Sequence, residues 1–186
     1  MAENPEILVI AGPNGSGKST ITDNLPIKGI YINADDISLM TGMSNLEAAI
    51  MAEKEREALL AAGMDFTFET VLSKERNLKL LKRAKDKGYI ITGVFVLTHD
   101  VTLNLKRVKE RAAAGGHDVP PEKILSRYYD SLGNISELMR ICDYLRIVDT
   151  TGGQAKLICE TDHGRILLHE TAEWDRIDIL ALLASK

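Results

Sequence analysis

Two cysteines in 186 residues, Cys142 and Cys159, stand far apart, each in an apolar segment. That scarcity excludes a disulfide-built scaffold, and a chain of this length can bury a full core without one. The expected state is a pair of buried free thiols in a reducing compartment. No cluster of His and Cys has metal-ligand spacing, which argues against a structural zinc site. Long apolar runs are missing, and none approaches the length of a membrane span. Residues 1–6 are polar and acidic, unlike a secretory leader, so a cytoplasmic protein with no membrane partner is expected. Long basic blocks are missing as well, and the formal net charge is −4. Nucleic acid is therefore disfavoured as a partner, although a local basic site for phosphate needs no such block. Repeats, low-complexity tracts and linkers are absent, and residues 1–186 read as one domain.

What the chain does have is a glycine-rich stretch, Gly12-Pro13-Asn14-Gly15-Ser16-Gly17-Lys18-Ser19-Thr20. It fits the P-loop pattern G-x-x-x-x-G-K-[ST]. The glycines let the backbone curl so that successive N–H groups point at phosphate oxygens. Lys18 reaches the terminal phosphates, and the Ser19 hydroxyl sits on Mg²⁺. Its context agrees. Residues 7–11 are an apolar run of the kind a buried parallel strand shows. Residues 19–25 suit a short helix ended by Pro26, and its positive N-terminal end favours an anion.

Strand and helix signals then alternate, which predicts an α/β fold with a mostly parallel sheet between helices. Strands are expected over residues 30–34, 65–72, 89–97 and 145–148. Ser44 and Glu47 form a capping box for a helix that runs to Ala62 and stops at Gly63. Ser73 is expected to cap a helix to Lys87, and Asp100 to cap the helix carrying Arg107 and Arg111. Gly115-Gly116-His117-Asp118 interrupts that pattern, and Pro120-Pro121 opens a further helix through Arg127 to about Leu138. Residues 150–186 read as an appendage, a β-hairpin over 156–169 and a helix over 173–184.

In an open parallel sheet, ligands sit beyond the C-terminal strand ends. Polar residues reach that edge in the P-loop, in Asn33-Ala34-Asp35-Asp36, in Glu69-Thr70 and near Thr98-His99-Asp100. Phosphoryl transfer needs held phosphates, a held Mg²⁺ and a base for the acceptor hydroxyl. Asp35 and Asp36 compete for the base. Adjacent side chains at a strand end point opposite ways, and Asp35 is preferred; capping of the next helix is the alternative for the pair, Asp36 above all. Glu69, an acid inside an apolar strand, is either a contact to substrate or to metal water, or half of an ion pair. Arg107 and Arg111 share one helix face, and Arg127 follows the glycine break. Such an Arg-rich, glycine-hinged segment, about residues 107–130, is what a closing lid requires; Arg111 and Arg127 are the candidates to clamp phosphate. His117 is expected to shape the loop. No apolar strand is expected to end in a plain Walker-B aspartate, which leaves Mg²⁺ to Ser19, phosphates and water.

These segments together resemble the zeta toxin family, P-loop kinases of UDP-N-acetylglucosamine, and particularly its small bacterial members. The likeness is carried by the P-loop, Asn33-Ala34-Asp35-Asp36-Ile37, Phe68-Glu69-Thr70, and the run from Arg107 through Gly115-Gly116-His117-Asp118-Val119-Pro120 to Arg127-Tyr128. It extends over residues 7 to about 135 and leaves 150–186 uncovered. The resemblance implies a kinase-like P-loop NTPase core of three layers, using ATP and Mg²⁺. It implies that Asp35 deprotonates a sugar 3′-hydroxyl, that Glu69 contacts the sugar nucleotide, and that Arg111 and Arg127 clamp the phosphates. The larger toxins of that family are neutralised by a small antitoxin, and no segment of this sequence points to such a partner. The alternatives are a kinase of another hydroxyl acceptor (a nucleoside, a sugar acid or a nucleic-acid end) and a non-catalytic ATP-binding switch.

Overall fold

A computed structural model describes residues 4–116 and 118–184. In chain order, the first half comprises β1 (Glu6–Ala11), α1 (Lys18–Thr22), β2 (Ile30–Ile32), α2 (Ala34–Thr41), α3 (Asn45–Ala62), β3 (Phe66–Thr70), α4 (Glu75–Asp86) and β4 (Ile90–Leu97). There follow α5 (Val101–Ala113), α6 (Pro121–Gly133), α7 (Ile135–Ile141), β5 (Tyr144–Asp149), β6 (Lys156–Asp162), β7 (Arg165–Leu168) and α8 (Arg176–Ala184). The sheet has seven strands in the order β2-β3-β1-β4-β5-β6-β7. The first five are parallel, and β6 and β7 add on antiparallel. The chain is thus an α/β fold with a mostly parallel sheet, and the C-terminal hairpin extends that sheet.

Burial follows the strand period. Val9, at the centre of β1, lies between Phe68 of β3 and Gly93 of β4. Ile7, Val9, Phe66, Phe68, Ile91 and Phe95 join the main core together with residues of α3, α4, α7 and α8. Leu8, Ile10, Val94 and Val96 make a smaller cluster that Ile21 of α1 and the nearby Leu25 cover. Both cysteines are buried and unpaired. Among the described residues, no helix is long and apolar enough to cross a membrane.

The Ser44–Glu47 capping box forms, and α3 stops where Gly63 takes φ 67°. Other boundaries depart from expectation for local reasons. The strand expected over 30–34 ends at Ile32, because Asn33 caps α2 by accepting from the Asp35 N–H at 2.9 Å. Asp35 and Asp36 therefore sit in a first helical turn, and neither caps it. β3 ends at Thr70, whose hydroxyl accepts the Leu72 N–H at 2.9 Å as Leu72 turns to φ 57°. Ser73 does not cap α4: Lys74 holds that position with no side-chain bond. The helix expected through Leu138 breaks at Asn134, whose amide donates to the Leu72 carbonyl at 2.8 Å. α8 begins at Arg176, since Thr171 and Asp175 take the N–H groups ahead of it and in its first turn. His117 lies outside the described residues.

Where β4 meets β5, the Asp143 carboxylate accepts the Ile91 N–H at 2.9 Å and pairs with Lys85. Burial works against its ionisation, but the Ile91 N–H and Lys85 outweigh it and hold the carboxyl below its usual range. Asp143→Ala leaves a buried N–H unpaired, and a urea titration should show a loss of about 1–3 kcal/mol. Because the folded pKa is depressed, that contribution is present above about pH 4 and fades as pH falls through the lowered value.

Candidate active site

β1 delivers the chain directly into the P-loop, and only glycine fits at its bends. Gly12 has φ 144°, and a Cβ there would lie 2.0 Å from the Val96 carbonyl oxygen. At Gly15, φ 76°, it would lie 2.6 Å from that of Asn104. The loop is tied down from three sides. Gly12 N–H donates to the Thr70 carbonyl at 3.1 Å, Asn104 of α5 donates to the Asn14 carbonyl at 2.6 Å, and Thr150 donates to the Ser16 carbonyl at 2.7 Å. Inside the curl, the Lys18 ammonium donates to the carbonyls of Gly12 (2.8 Å) and Pro13 (3.0 Å). Burial lowers its pKa to about 8, against the opposing pull of Glu69 and Asp35, with Arg111 adding to the lowering. The Ser16 hydroxyl is buried with no partner among the described residues. A cradle that rejects side chains and holds an ammonium and an orphaned hydroxyl fits a bound phosphate.

A cavity of about 540 Å³ opens over this loop. Asn14, Gly15, Gly17, Lys18, Ser19 and Thr20 line it, as do Asp35, Glu69, Thr70, Arg107, Arg111 and Arg127. A second cavity of about 350 Å³ is lined by Ser19, Asp36, Glu69, Tyr31 and Thr22 among others. Ser19 and Glu69 thus border both. Successive residues of a helix diverge by about 100°, which separates the two aspartates: Asp35 faces the first cavity and Asp36 the second. The strand-end alternation expected for the pair is replaced by this helical divergence. Burial raises the Asp36 pKa, and the charges of Glu69, Asp35 and Asp23 raise it further.

Glu69 accepts from the Thr22 hydroxyl at 2.6 Å and the Tyr31 hydroxyl at 2.9 Å. Among the described residues its hydrogen-bond partners are these two hydroxyls. Thr70 uses its oxygen to accept from Asn77 (2.6 Å) as well as Leu72, so it shapes the turn beside the cavity. The arginines divide. Arg127 donates to the Asn14 side chain at 3.3 Å. Arg107 donates to the Thr150 carbonyl (2.7 Å) and hydroxyl (3.0 Å) and, more weakly, to the Gly15 carbonyl (3.4 Å). Arg107 therefore braces the P-loop against the end of β5. Asp100 caps α5 through the Thr102 N–H at 2.8 Å, as expected.

Sequence reasoning missed several residues here. β5 does end in an aspartate, Asp149, contrary to expectation; it is fully buried, one oxygen held by Thr151 and the other unpartnered among the described residues. The expected strand limit of Val148 hid it. Thr150 and Asn104 were missed because their contacts to the P-loop span 134 and 90 residues of sequence. Arg56 of α3, buried and lining the first cavity, was missed because it stands in the charged run Glu53-Lys54-Glu55-Arg56-Glu57.

No protein-family model matches the chain. An uncharacterised protein of Haemophilus influenzae is 29% identical over 124 residues, covering 63% of this chain and 88% of that protein. Among solved structures, the AvrRxo1-ORF1:-ORF2 complex with ATP superposes with a TM-score of 0.71 at 16% identity; the match takes in 98% of this chain and 64% of the other. This chain thus spans about two thirds of that protein. The PezAT chromosomal toxin–antitoxin system of Streptococcus pneumoniae gives a TM-score of 0.60 at 16% identity, covering 97% and 84%. A chain of the Pnkp1/Rnl/Hen1 RNA repair complex gives 0.55 at 23%, covering 70% and 45%. At such identities the likeness is one of architecture, and the architecture is that of a P-loop kinase-like, zeta-toxin-like fold.

Proposed function

We propose that the chain is an ATP-dependent kinase that transfers the γ-phosphoryl group to a hydroxyl of a small molecule, with a UDP-amino sugar as leading acceptor. The observation that carries this reading is the meeting of Lys18, Asp35, Glu69, Arg111 and Arg127 around one cavity above the P-loop. A nucleotide site alone does not need an acid facing the phosphates; a kinase does.

In this reading the P-loop amides, Ser16 and Lys18 hold the triphosphate. Asp35 takes the acceptor's proton, the freed oxygen bonds to the γ-phosphorus, and the bond to the β-phosphate oxygen breaks, releasing ADP. Arg111 and Arg127 close on the migrating group. Glu69 and Thr70 border the acceptor. Mg²⁺ would be held by the Ser19 hydroxyl with phosphates and water, where it offsets charge on the phosphates. The toxin–antitoxin system among the structural neighbours supports extending the reading to a protein partner that restrains the kinase. An assay of ADP release with UDP-N-acetylglucosamine and a panel of other alcohols tests it. Release that depends on one acceptor is expected, and release indifferent to all of them would overturn it.

Lys18 adds a proton signature. Its pKa of about 8 without ligand must rise when anionic phosphate arrives. ATP binding therefore takes up a proton, increasingly so between about pH 7 and pH 9, and the affinity falls as pH rises through that window. Calorimetry in buffers of different ionisation enthalpy should measure the uptake.

A further inference from the structure

The outward side of α3 is apolar where a surface helix is normally polar. Leu46, 73% exposed, is followed at helical spacing by the exposed Ile50, Met51, Ala58 and Ala61. The opposite side, facing the core, carries Ala48, Ala52 and Leu60. A helix that is apolar all round is ordinarily a buried one. The exposed apolar surface also runs past both ends of α3. Ahead of it, Leu39 and Met40 of α2 are 87% and 84% exposed, and Met43 is exposed in the turn between the helices. Behind it, Met64 is exposed as well. The Ser38 hydroxyl donates to the Met43 carbonyl at 2.7 Å and lies 3.4 Å from Asn45 Oδ1. That holds the turn against the start of α3 and joins the side chains of both helices into one patch. A monomer seldom leaves so many large apolar side chains together in water.

The order of residues along this stripe fits a second copy of the chain. Bulky side chains, Met43, Leu46 and Ile50, stand at its N-terminal end, and small ones, Ala58 and Ala61, at its C-terminal end. Acid precedes base: Glu47 and Lys54 are both exposed and stand two turns apart on the outward face. A stripe of that order is complementary to itself when turned end for end. We propose that the chain forms a two-fold homodimer in which α3 packs antiparallel against the partner's α3, with the axis at the level of Ala52. Residues equally far from the axis then meet, as an isologous contact requires. Leu46 of each copy packs on Ala58 of the other, Met43 packs on Ala61, and Ile50 lies along the aliphatic stem of Lys54. The Lys54 ammonium reaches Glu47 of the opposite copy, twice per interface; the capping box of Glu47 uses one of its oxygens, Oε2. With one base and one acid, the patch suits a partner of balanced charge better than an anionic membrane. Asn45, Ala49 and Ala52 of the same helix line the first cavity, so the pairing supports a wall of that cavity from behind.

Sedimentation velocity on the full chain over a range of concentrations tests the pairing. A species of about 41 kDa, twice the chain's 20.5 kDa, is expected. Ile50→Asp should leave a monomer. Lys54→Glu should weaken the dimer about tenfold or more, because it sets acid against acid at both ends of the interface. Glu47→Lys should do the same by setting base against base. Mixing these two charge variants should restore a dimer, since each now carries the charge that the other lacks. A fold that was merely destabilised would not be rescued by mixing, and melting curves of each variant alone report that it folds. A parent chain that stays monomeric up to its solubility limit, a dimer indifferent to both Ile50→Asp and Lys54→Glu, or charge variants that fail to pair when mixed would overturn the assignment. A monomeric parent that sediments with phosphatidylcholine vesicles would overturn it too, and would give the patch to a membrane.

Discussion

Asp35→Asn should lower phosphoryl transfer by about 10²–10⁴-fold while ATP still binds. The substitution keeps the size and shape of the side chain. It leaves the α2 cap intact, because the cap belongs to Asn33 and uses only the backbone N–H of residue 35. The loss would thus be that of a proton acceptor rather than of a fold. Asp36→Asn is the matched control, one residue on and facing the other cavity, and should cost far less. Kinetics on both, alongside calorimetry for the nucleotide, separates the two carboxylates. If the larger loss fell on Asp36, the base would be misassigned; equal retention of turnover in both would remove a carboxylate base altogether.

Lys18→Ala should be damaging in a different way. Lys18 is buried against two backbone carbonyls, and without a triphosphate it has no better partner than those. Removing it takes away a charged donor to phosphate, worth about 1.5–3 kcal/mol, in ground state and transition state alike. A loss shared by both states weakens ATP binding and raises KM while kcat changes little, a fall in kcat/KM of about 10–10²-fold. Stability should move the other way. An ammonium held in the fold with a lowered pKa is poorly solvated there, so the variant should melt no lower than the parent. A variant that lost ATP binding only by unfolding would contradict this.

Local chemistry made much of the architecture legible. Ser44, Glu47 and Gly63 are a cap, a box and a stop within one helix, and α3 runs between them as expected. Apolar runs bounded by Gly and Pro gave the parallel strands, since strands buried on both faces need little else to identify them. The P-loop was readable because its glycines answer to backbone geometry. Expectation failed where the deciding partner lies far away in sequence. Arg107 looks like the twin of Arg111 on a helix face, yet Thr150, forty-three residues on, engages it. Arg56 looks like one charge among several, because α3 carries apolar residues on its exposed faces as well as its buried one and so gives little periodic signal of a buried side. Asn33 was within reach: an Asn ahead of two acids is a helix start, and the strand reading overrode it.

The central claim is that an acid across from the P-loop frees an alcohol to attack ATP. Mass spectrometry of a metabolite extract incubated with protein and ATP tests it most directly, with UDP-N-acetylglucosamine supplied as one defined acceptor. The account predicts one alcohol that gains a phosphoryl group as ADP accumulates in equal amount, and no such product with Asp35→Asn. ATP converted only to ADP and free phosphate, with every alcohol unchanged, would contradict it.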